Sequence, residues 1–215
     1  MITRFLNTLE QKMGRHYIPD LMKYLCLGML GVFVLDYLPF GISASSLLYF
    51  NRSLILQGQV WRLFTFVFLP PDSSILFILF SLYFYYMLGT MLENRWGSRR
   101  FNLYYLIGVL GSILGGFVTG YATNYYLNMS LFLAIAVLYG EMQLNLFMVL
   151  PIKMKYLAWV DAALLIYSFL FGSWPSRIAL LLSLAPFFLF FGRNAYLAAR
   201  HDWWKLRNWW NNRKR

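Results

Sequence analysis

Long apolar runs that contain few charged residues are the feature that most constrains the fold of this chain. Sixty per cent of its 215 residues are hydrophobic and only 13% are charged, which leaves too little polar surface for a water-soluble domain. Such runs are typical of membrane-spanning helices. A transmembrane barrel would show segments of roughly 10 residues alternating between apolar and polar positions, and no such alternation occurs. The sequence therefore predicts an all-α polytopic membrane protein.

Six helices follow from the apolar runs and their flanking residues. We predict them at about 21–40, from a cap at Asp72 or Ser73 to 95, and at 101–121, 128–140, 156–171 and 176–197. The connection at 41–71 is long and partly apolar, so we expect it to lie in the membrane interface. The alternative is four spans, in which the fourth helix is re-entrant and one further apolar run does not cross the membrane.

The positions of the basic residues predict an orientation. With the N-terminus in the cytoplasm, 16 of the 19 lysine and arginine residues fall inside and only Arg52, Arg62 and Arg177 fall outside. Both chain ends are therefore predicted to be cytoplasmic, and in a prokaryote the membrane would be the cell membrane. This topology accounts for the net charge of +11, so we expect no nucleic-acid partner.

The chain divides into one membrane domain and two basic ends. Residues 1–20 form an amphipathic cytoplasmic N-terminus, residues 21–197 the membrane domain, and residues 198–215 a tryptophan-rich tail. We expect the tail to anchor at the lipid interface or to bind a cytoplasmic partner. The single cysteine, Cys26, excludes an intramolecular disulfide and a cysteine-based zinc site. No metal or cofactor is expected.

Two motifs carry a resemblance to the rhomboid superfamily. Trp61-Arg62 lies in the first outer loop, and Gly89-x-x-x-Glu93-x-x-x-Gly97 lies where the second helix leaves the membrane. The long first loop and short fourth helix also match, so the chain resembles a six-transmembrane-helix rhomboid-like bundle with a long interfacial first loop. We expect Arg62 to bind backbone carbonyls or lipid phosphate, Trp61 to anchor the loop, and Glu93 to form a charge pair at the cytoplasmic surface.

The resemblance implies a catalytic serine and histidine, and this chain lacks that pair. Active rhomboids place the serine in Gly-x-Ser-Gly on helix four and the histidine on helix six, with His-x-x-x-Asn on helix two. Ser130 aligns with the nucleophile without its glycines, and Phe77 and Ser81 replace the helix-two residues. The only histidines, His16 and His201, are predicted on the far side of ~30 Å of hydrocarbon. We therefore expect a pseudoprotease.

Three functions remain open from the sequence. A pseudoprotease similar to derlins would bind transmembrane or unfolded membrane-protein clients, and Ser81, Asn124, Asn128 and Ser130 are candidates to line its outer cavity. The first alternative is an active intramembrane serine protease that uses Ser130. The second is a small transporter or lipid-handling protein. The expected partners are the lipid bilayer, transmembrane clients and a cytoplasmic protein at the basic tail.

Small residues on the third helix predict close helix packing. Gly111-x-x-x-Gly115 and Gly116-x-x-x-Gly120 are spacings that let helix backbones approach closely in lipid.

Ionisable residues near the membrane suggest pairings, because such groups are costly when unpaired in lipid. We expect Asp161 to pair with Lys153, Lys155 or Lys23, with cation binding as the alternative. We expect Arg177 to be satisfied by lipid phosphate or by Asp36.

Overall fold

Apolar helices joined by short connections make up most of the described chain. The computed structural model describes residues 8, 10, 11, 14, 17–38, 43–71, 74–146 and 150–191. In chain order the elements are α1 Leu21–Tyr37, α2 Ala44–Leu48, α3 Arg52–Leu56, α4 Arg62–Thr65, a 3-10 turn Phe66–Phe68, α5 Ile75–Trp96, α6 Ser98–Thr119, α7 Tyr125–Tyr139, β1 Gln143–Leu146, β2 Leu150–Lys153, α8 Met154–Phe171, α9 Trp174–Ser183 and α10 Ala185–Phe191.

Three of these helices, α5, α6 and α8, are long and apolar enough to cross a membrane. The helices α9 and α10 meet at a 45° bend and make a fourth span if they are counted together. The apolar helix α7 has only 15 residues, which corresponds to a length of about 22 Å. The order of long helices matches the prediction, but length and composition support three or four spans in the described residues.

The helix α6 lies at the centre of the bundle. Of its apolar stretch 67% is buried, against 28% for α5 and 17% for α8. Phe101 and Tyr104 on this helix are fully buried, together with Phe50 and Phe66 from the first loop and Leu127 from α7. The outer helices α5 and α8 instead expose large apolar side chains, as lipid-facing helices do.

Two glycines let α6 pack directly on α9. A Cβ on Gly111 would lie 2.0 Å from the carbonyl oxygen of Leu182, and one on Gly115 would lie 2.8 Å from the Cα of Ala179. The bend between α9 and α10 contributes to this close contact. Pro186 has no N–H to donate to the Leu182 carbonyl four residues earlier, and this carbonyl faces Gly111.

The second predicted spacing does not form a helix-helix contact. A Cβ on Gly116 would instead meet the rings and methyl groups of Phe50 and Ala122, which belong to loops. Gly120 follows the last residue of α6 with a φ of 94°, a conformation that favours glycine. The absence of a side chain at Gly116 therefore leaves space for the first loop, and Gly120 ends α6.

A short β-hairpin forms the connection between the fourth and fifth predicted helices. The strands β1 and β2 pair antiparallel, with Gln143 opposite Lys153 and Leu146 opposite Leu150. The predicted all-α fold therefore lacks one element that the structure contains, a two-stranded sheet. The predicted caps Asp72 and Ser73, the tail 198–215 and most of residues 1–20 lie outside the described residues.

Candidate functional site

Arg62 is buried within the first loop and holds its backbone together. Its side chain is 4% exposed and donates hydrogen bonds to the carbonyl oxygens of Ser46 and Tyr49 and to Oε1 of Gln59, at 3.0, 3.0 and 2.7 Å. The guanidinium also lies over the Tyr49 ring. We expected Arg62 to bind backbone carbonyls or lipid phosphate, and the structure shows it bound to backbone carbonyls.

Trp61 and Thr65 extend this network along the loop. The indole Nε1 of Trp61 donates to the Leu47 carbonyl, and Oγ1 of Thr65 donates to the Leu48 carbonyl. Half of the Trp61 surface remains exposed beside these contacts. The backbone carbonyls of residues 46–49 therefore have hydrogen-bond partners within the loop. Such pairing suits a position in the membrane interface.

The Gly-Glu-Gly motif holds the beginning of α1. A Cβ on Gly89 would lie 2.4 Å from the Met22 side chain, so α5 and α1 pack closely there. Oε1 of Glu93 accepts a 2.9 Å hydrogen bond from the backbone N–H of Asp20. Gly97 has a φ of 84° and turns the chain from α5 into α6.

The charge pair that we expected for Glu93 is wrong for the described part of the chain. Glu93 is buried, and no described cation lies within ion-pair distance of it. Its partner is the backbone of α1. Asn102 strengthens the same junction by accepting from the Ile18 N–H and donating to the Ile18 carbonyl. Sequence reasoning missed Asn102, because one asparagine in an apolar helix gives no sign of a distant partner.

Ser130 is fully buried and fully engaged in hydrogen bonds. Its Oγ donates to the Leu127 carbonyl at 2.6 Å, and the Tyr104 hydroxyl lies 3.0 Å from Oγ and 2.9 Å from the Ser130 carbonyl oxygen. A serine nucleophile needs a general base within hydrogen-bond reach, and the partners here are a carbonyl and a phenol. His16 and His201 lie outside the described residues.

A polar cavity of about 570 Å³ opens near the first loop. It lies between α5, α6, the start of α7 and α9, and the segment 121–124 forms part of its wall. Ser81 and Asn124, two of the four predicted cavity residues, line it. Further serine and threonine residues in the lining, which sequence reasoning did not assign, are Ser112, Thr119, Thr123, Ser176 and Ser183. Phe77, four residues before Ser81, is half exposed and does not line the cavity.

The other two predicted cavity residues lie elsewhere. Ser130 is packed in the core beside Tyr104. Asn128 lines a separate, mostly apolar cleft of about 270 Å³ between α5, α7 and α8, together with Asp161. Asn124 has a structural contact as well, since its Nδ2 donates to the carbonyls of Val67 and Leu69.

The predicted pairing of Asp161 with a lysine is wrong. Nζ of Lys153 and Nζ of Lys155 instead lie 2.8 and 2.6 Å from the carboxylate oxygens of Glu141. The hydrogen bonds from Lys153 and then from Lys155 lower the pKa of the Glu141 carboxyl to about 2. Oδ2 of Asp161 is buried without a partner among the described residues.

Two further charged groups near helix ends form hydrogen bonds with residues close to them in sequence. Asp36 accepts from the Ser43 hydroxyl and from the backbone N–H and hydroxyl of Ser45. Arg177 donates to the carbonyls of Gly172 and Leu170 and not to Asp36. The part of the chain that the structure describes holds no group of three or more metal-binding side chains.

The helices and their lipid-facing surfaces define an integral membrane protein of the multi-pass helical class. A family model described as "Eukaryotic integral membrane protein (DUF1751)" matches residues 22–192. The chain belongs to this family, which confirms the prediction of a polytopic membrane protein. No curated protein matches the chain. Because the family is described as eukaryotic, a prokaryotic cell membrane is not the expected location.

Proposed function

We propose that this protein is a rhomboid-like membrane protein without proteolytic activity that binds transmembrane or unfolded membrane-protein clients. The observation that carries the proposal is the polar cavity of about 570 Å³ within a bundle of otherwise apolar helices. Polar groups of a client are unstable in hydrocarbon, where water cannot pair with them. The Ser81 and Thr123 hydroxyl groups in the cavity lining can pair with them instead.

The dimensions of α7 support the same function. A helix of about 22 Å is shorter than the ~30 Å hydrocarbon core. A bilayer around a short helix thins or deforms to match it. Such thinning next to the cavity lowers the cost of drawing a polar segment out of the lipid. In this proposal α1, α5, α6, α7, α8 and the bent pair α9–α10 make six spans, with both chain ends in the cytoplasm.

The geometry around Ser130 supports a function other than proteolysis. Its hydroxyl hydrogen is donated to the Leu127 carbonyl, and its side chain is fully buried rather than open to the cavity. The Tyr104 hydroxyl is a poor general base at neutral pH, because an ordinary phenol has a pKa near 10. Ser130 therefore acts as a packing and hydrogen-bonding residue between α6 and α7.

The client-binding proposal is tested by quantitative membrane proteomics. Cells that lack the protein are compared with cells re-expressing the wild type, Ser81→Phe or Tyr83→Phe. Ser81→Phe places a ring in the cavity, whereas Tyr83 is on the same helix and 67% exposed. We expect specific membrane proteins to change in abundance and to recover with the wild type and Tyr83→Phe only. A membrane proteome that is unchanged by the loss of the protein would refute the proposal.

The absence of proteolysis is tested by covalent labelling. The purified protein in nanodiscs is treated with a fluorescent fluorophosphonate beside an active rhomboid protease and the variant Ser130→Ala. We expect the active rhomboid to be labelled and this protein to remain unlabelled. Labelling that disappears in Ser130→Ala would show a working nucleophile and would replace the proposal with the protease alternative.

A further inference from the structure

The second cleft contains buried polar atoms that nothing in the described protein satisfies. Asn128 is 2% exposed and Asp161 is 6% exposed. Nδ2 and Oδ1 of Asn128 and Oδ2 of Asp161 have no hydrogen-bond partner among the described residues. The Tyr85 hydroxyl approaches the Asn128 amide without reaching hydrogen-bond geometry. Each unpaired buried polar group costs about 1–3 kcal/mol, so the cleft gains stability when a partner arrives.

The surroundings of these atoms indicate what the partner is. The walls are apolar side chains, among them Phe84, Phe132 and Leu164, and polar atoms contribute very little of the lining. The cleft lies between α5, α7 and α8, and neither α5 nor α8 buries most of its apolar stretch within the protein. A partner must therefore be apolar along its length and carry one polar or charged group.

The carboxyl group of Asp161 indicates which polar or charged group the partner carries. The two lysines nearest to it in sequence, Lys153 and Lys155, lie at hydrogen-bond distance from Glu141. No ion pair to Asp161 occurs within the described ranges. A carboxylate in a membrane helix is costly unless a cation or hydrogen-bond donor pairs with it. The neighbouring Asn128 amide can accept one donor and donate to one acceptor.

We propose that this cleft docks a client transmembrane helix through a basic side chain, with Asp161 as the charge partner and Asn128 as the hydrogen-bonding partner. This inference rests on the proposed function and specifies its clients. Asp161 lies seven residues after the first residue of α8, which places it about 10 Å from the hairpin end of that helix. The basic residue of the client lies at the same depth.

A designed peptide in nanodiscs tests the inference without any cellular client. A leucine-alanine transmembrane helix carries one lysine about 10 Å from its cytoplasmic end, and a matched peptide carries leucine there. Energy transfer between labelled peptide and labelled protein measures association. We expect the lysine peptide to bind the wild type about tenfold more tightly than the leucine peptide. Asp161→Asn should remove this preference, and the exposed control Asp36→Asn should retain it.

A charge exchange separates recognition from folding. Asp161→Lys should bind a peptide with glutamate at the same position and lose its preference for lysine, a result that a misfolded variant cannot give. Equal binding of the lysine and leucine peptides to the wild type would overturn the inference. So would co-purification of an amine-bearing lipid that depends on Asp161 and leaves no lysine preference. An unchanged membrane proteome would instead refute the cellular function while peptide binding persisted.

Discussion

Arg62 shows how one residue can stabilise a whole loop. It is a buried cation with three hydrogen-bond acceptors from the first loop. A lysine carries the same charge but lacks the planar fork that reaches several acceptors at once. We expect Arg62→Lys to lower the free energy of unfolding by about 2 kcal/mol, which thermal unfolding of the purified protein in mild detergent would measure.

The matched control for this prediction is Arg52→Lys. Arg52 is exposed, and one guanidinium bond, to the Phe117 carbonyl, is seen for it in the described chain. An exposed residue of this kind changes stability by less than about 0.5 kcal/mol when it is substituted conservatively. Equal losses for the two variants would contradict a special role of Arg62 in holding the loop.

The Tyr104–Ser130 contact makes a second prediction at this scale. Because Ser130 is buried and bonded to Tyr104, Tyr104→Phe and Ser130→Ala should each destabilise the protein by about 1 kcal/mol. The double variant should lose less than the sum of the two, because both substitutions remove the same bond. Thermal unfolding of the four proteins gives the coupling. Strict additivity would mean that the two hydroxyl groups do not interact.

The contact between α6 and α9 depends on glycine at the point of closest approach. A side chain at Gly111 would meet a backbone carbonyl at 2.0 Å, which cannot move aside as a flexible side chain can. We expect Gly111→Ala to destabilise the protein by about 2 kcal/mol or more. Gly31→Ala on α1 is the control, because a Cβ there meets nothing within 4 Å. A normal unfolding midpoint for Gly111→Ala would show that the two helices are not in contact.

The hairpin between α7 and α8 has a predictable dependence on pH. The folded pKa of Glu141 is about 2, below the ordinary value of 4.5, because Lys153 and Lys155 hold its carboxylate. The stabilisation from this group is therefore present above pH 4.5 and lost as the pH falls toward 2. Titration of the Glu141 carboxyl by NMR should show the lowered midpoint. Replacing both lysines with glutamine should return it to the ordinary range.

Sequence reasoning located the long elements better than their ends and breaks. Apolar periodicity and length gave the positions of α5, α6, α8 and the shorter α7 to within a few residues. Sequence reasoning did not reveal the β-hairpin, because two short strands of mixed composition show no strong alternation of apolar and polar residues. It also missed the bend between α9 and α10, although Pro186 lies in the middle of the predicted helix 176–197, where a proline kinks or ends a helix.

The arrangement of the whole molecule determines which polar residues meet. Asn128 and Asp161 come from α7 and α8, and the cavity near Ser81 collects side chains from α5, α6, α9 and the start of α7. Such groupings depend on how helices rotate about their axes, and weak amphipathicity gives little information on this rotation in lipid. The sequence therefore supplied four polar candidates, and packing divided them among a cavity, a cleft and the core.

The number of spans is decided by the side of the membrane on which the hairpin lies. Between the first loop and the hairpin run α5, α6 and α7. If all three cross the membrane, Leu56 and Gln143 lie on opposite sides; if α7 is re-entrant, they lie on the same side. We expect opposite sides, because α7 is predominantly apolar and a bilayer can thin to match its length. The basic residues beside the hairpin favour its cytoplasmic location.

Single cysteines in a Cys26→Ser background would measure this topology. Leu56 and Trp174 are each 75% exposed and Gln143 is exposed, so all three positions accept a label. A membrane-impermeant maleimide applied to sealed vesicles with the cytoplasmic face outward should react with Leu56→Cys and Trp174→Cys only after the vesicles are opened. It should react with Gln143→Cys before opening. Protection of Gln143→Cys together with Leu56→Cys would show that α7 does not cross, which excludes the six-span arrangement and removes the short spanning helix from the proposed mechanism.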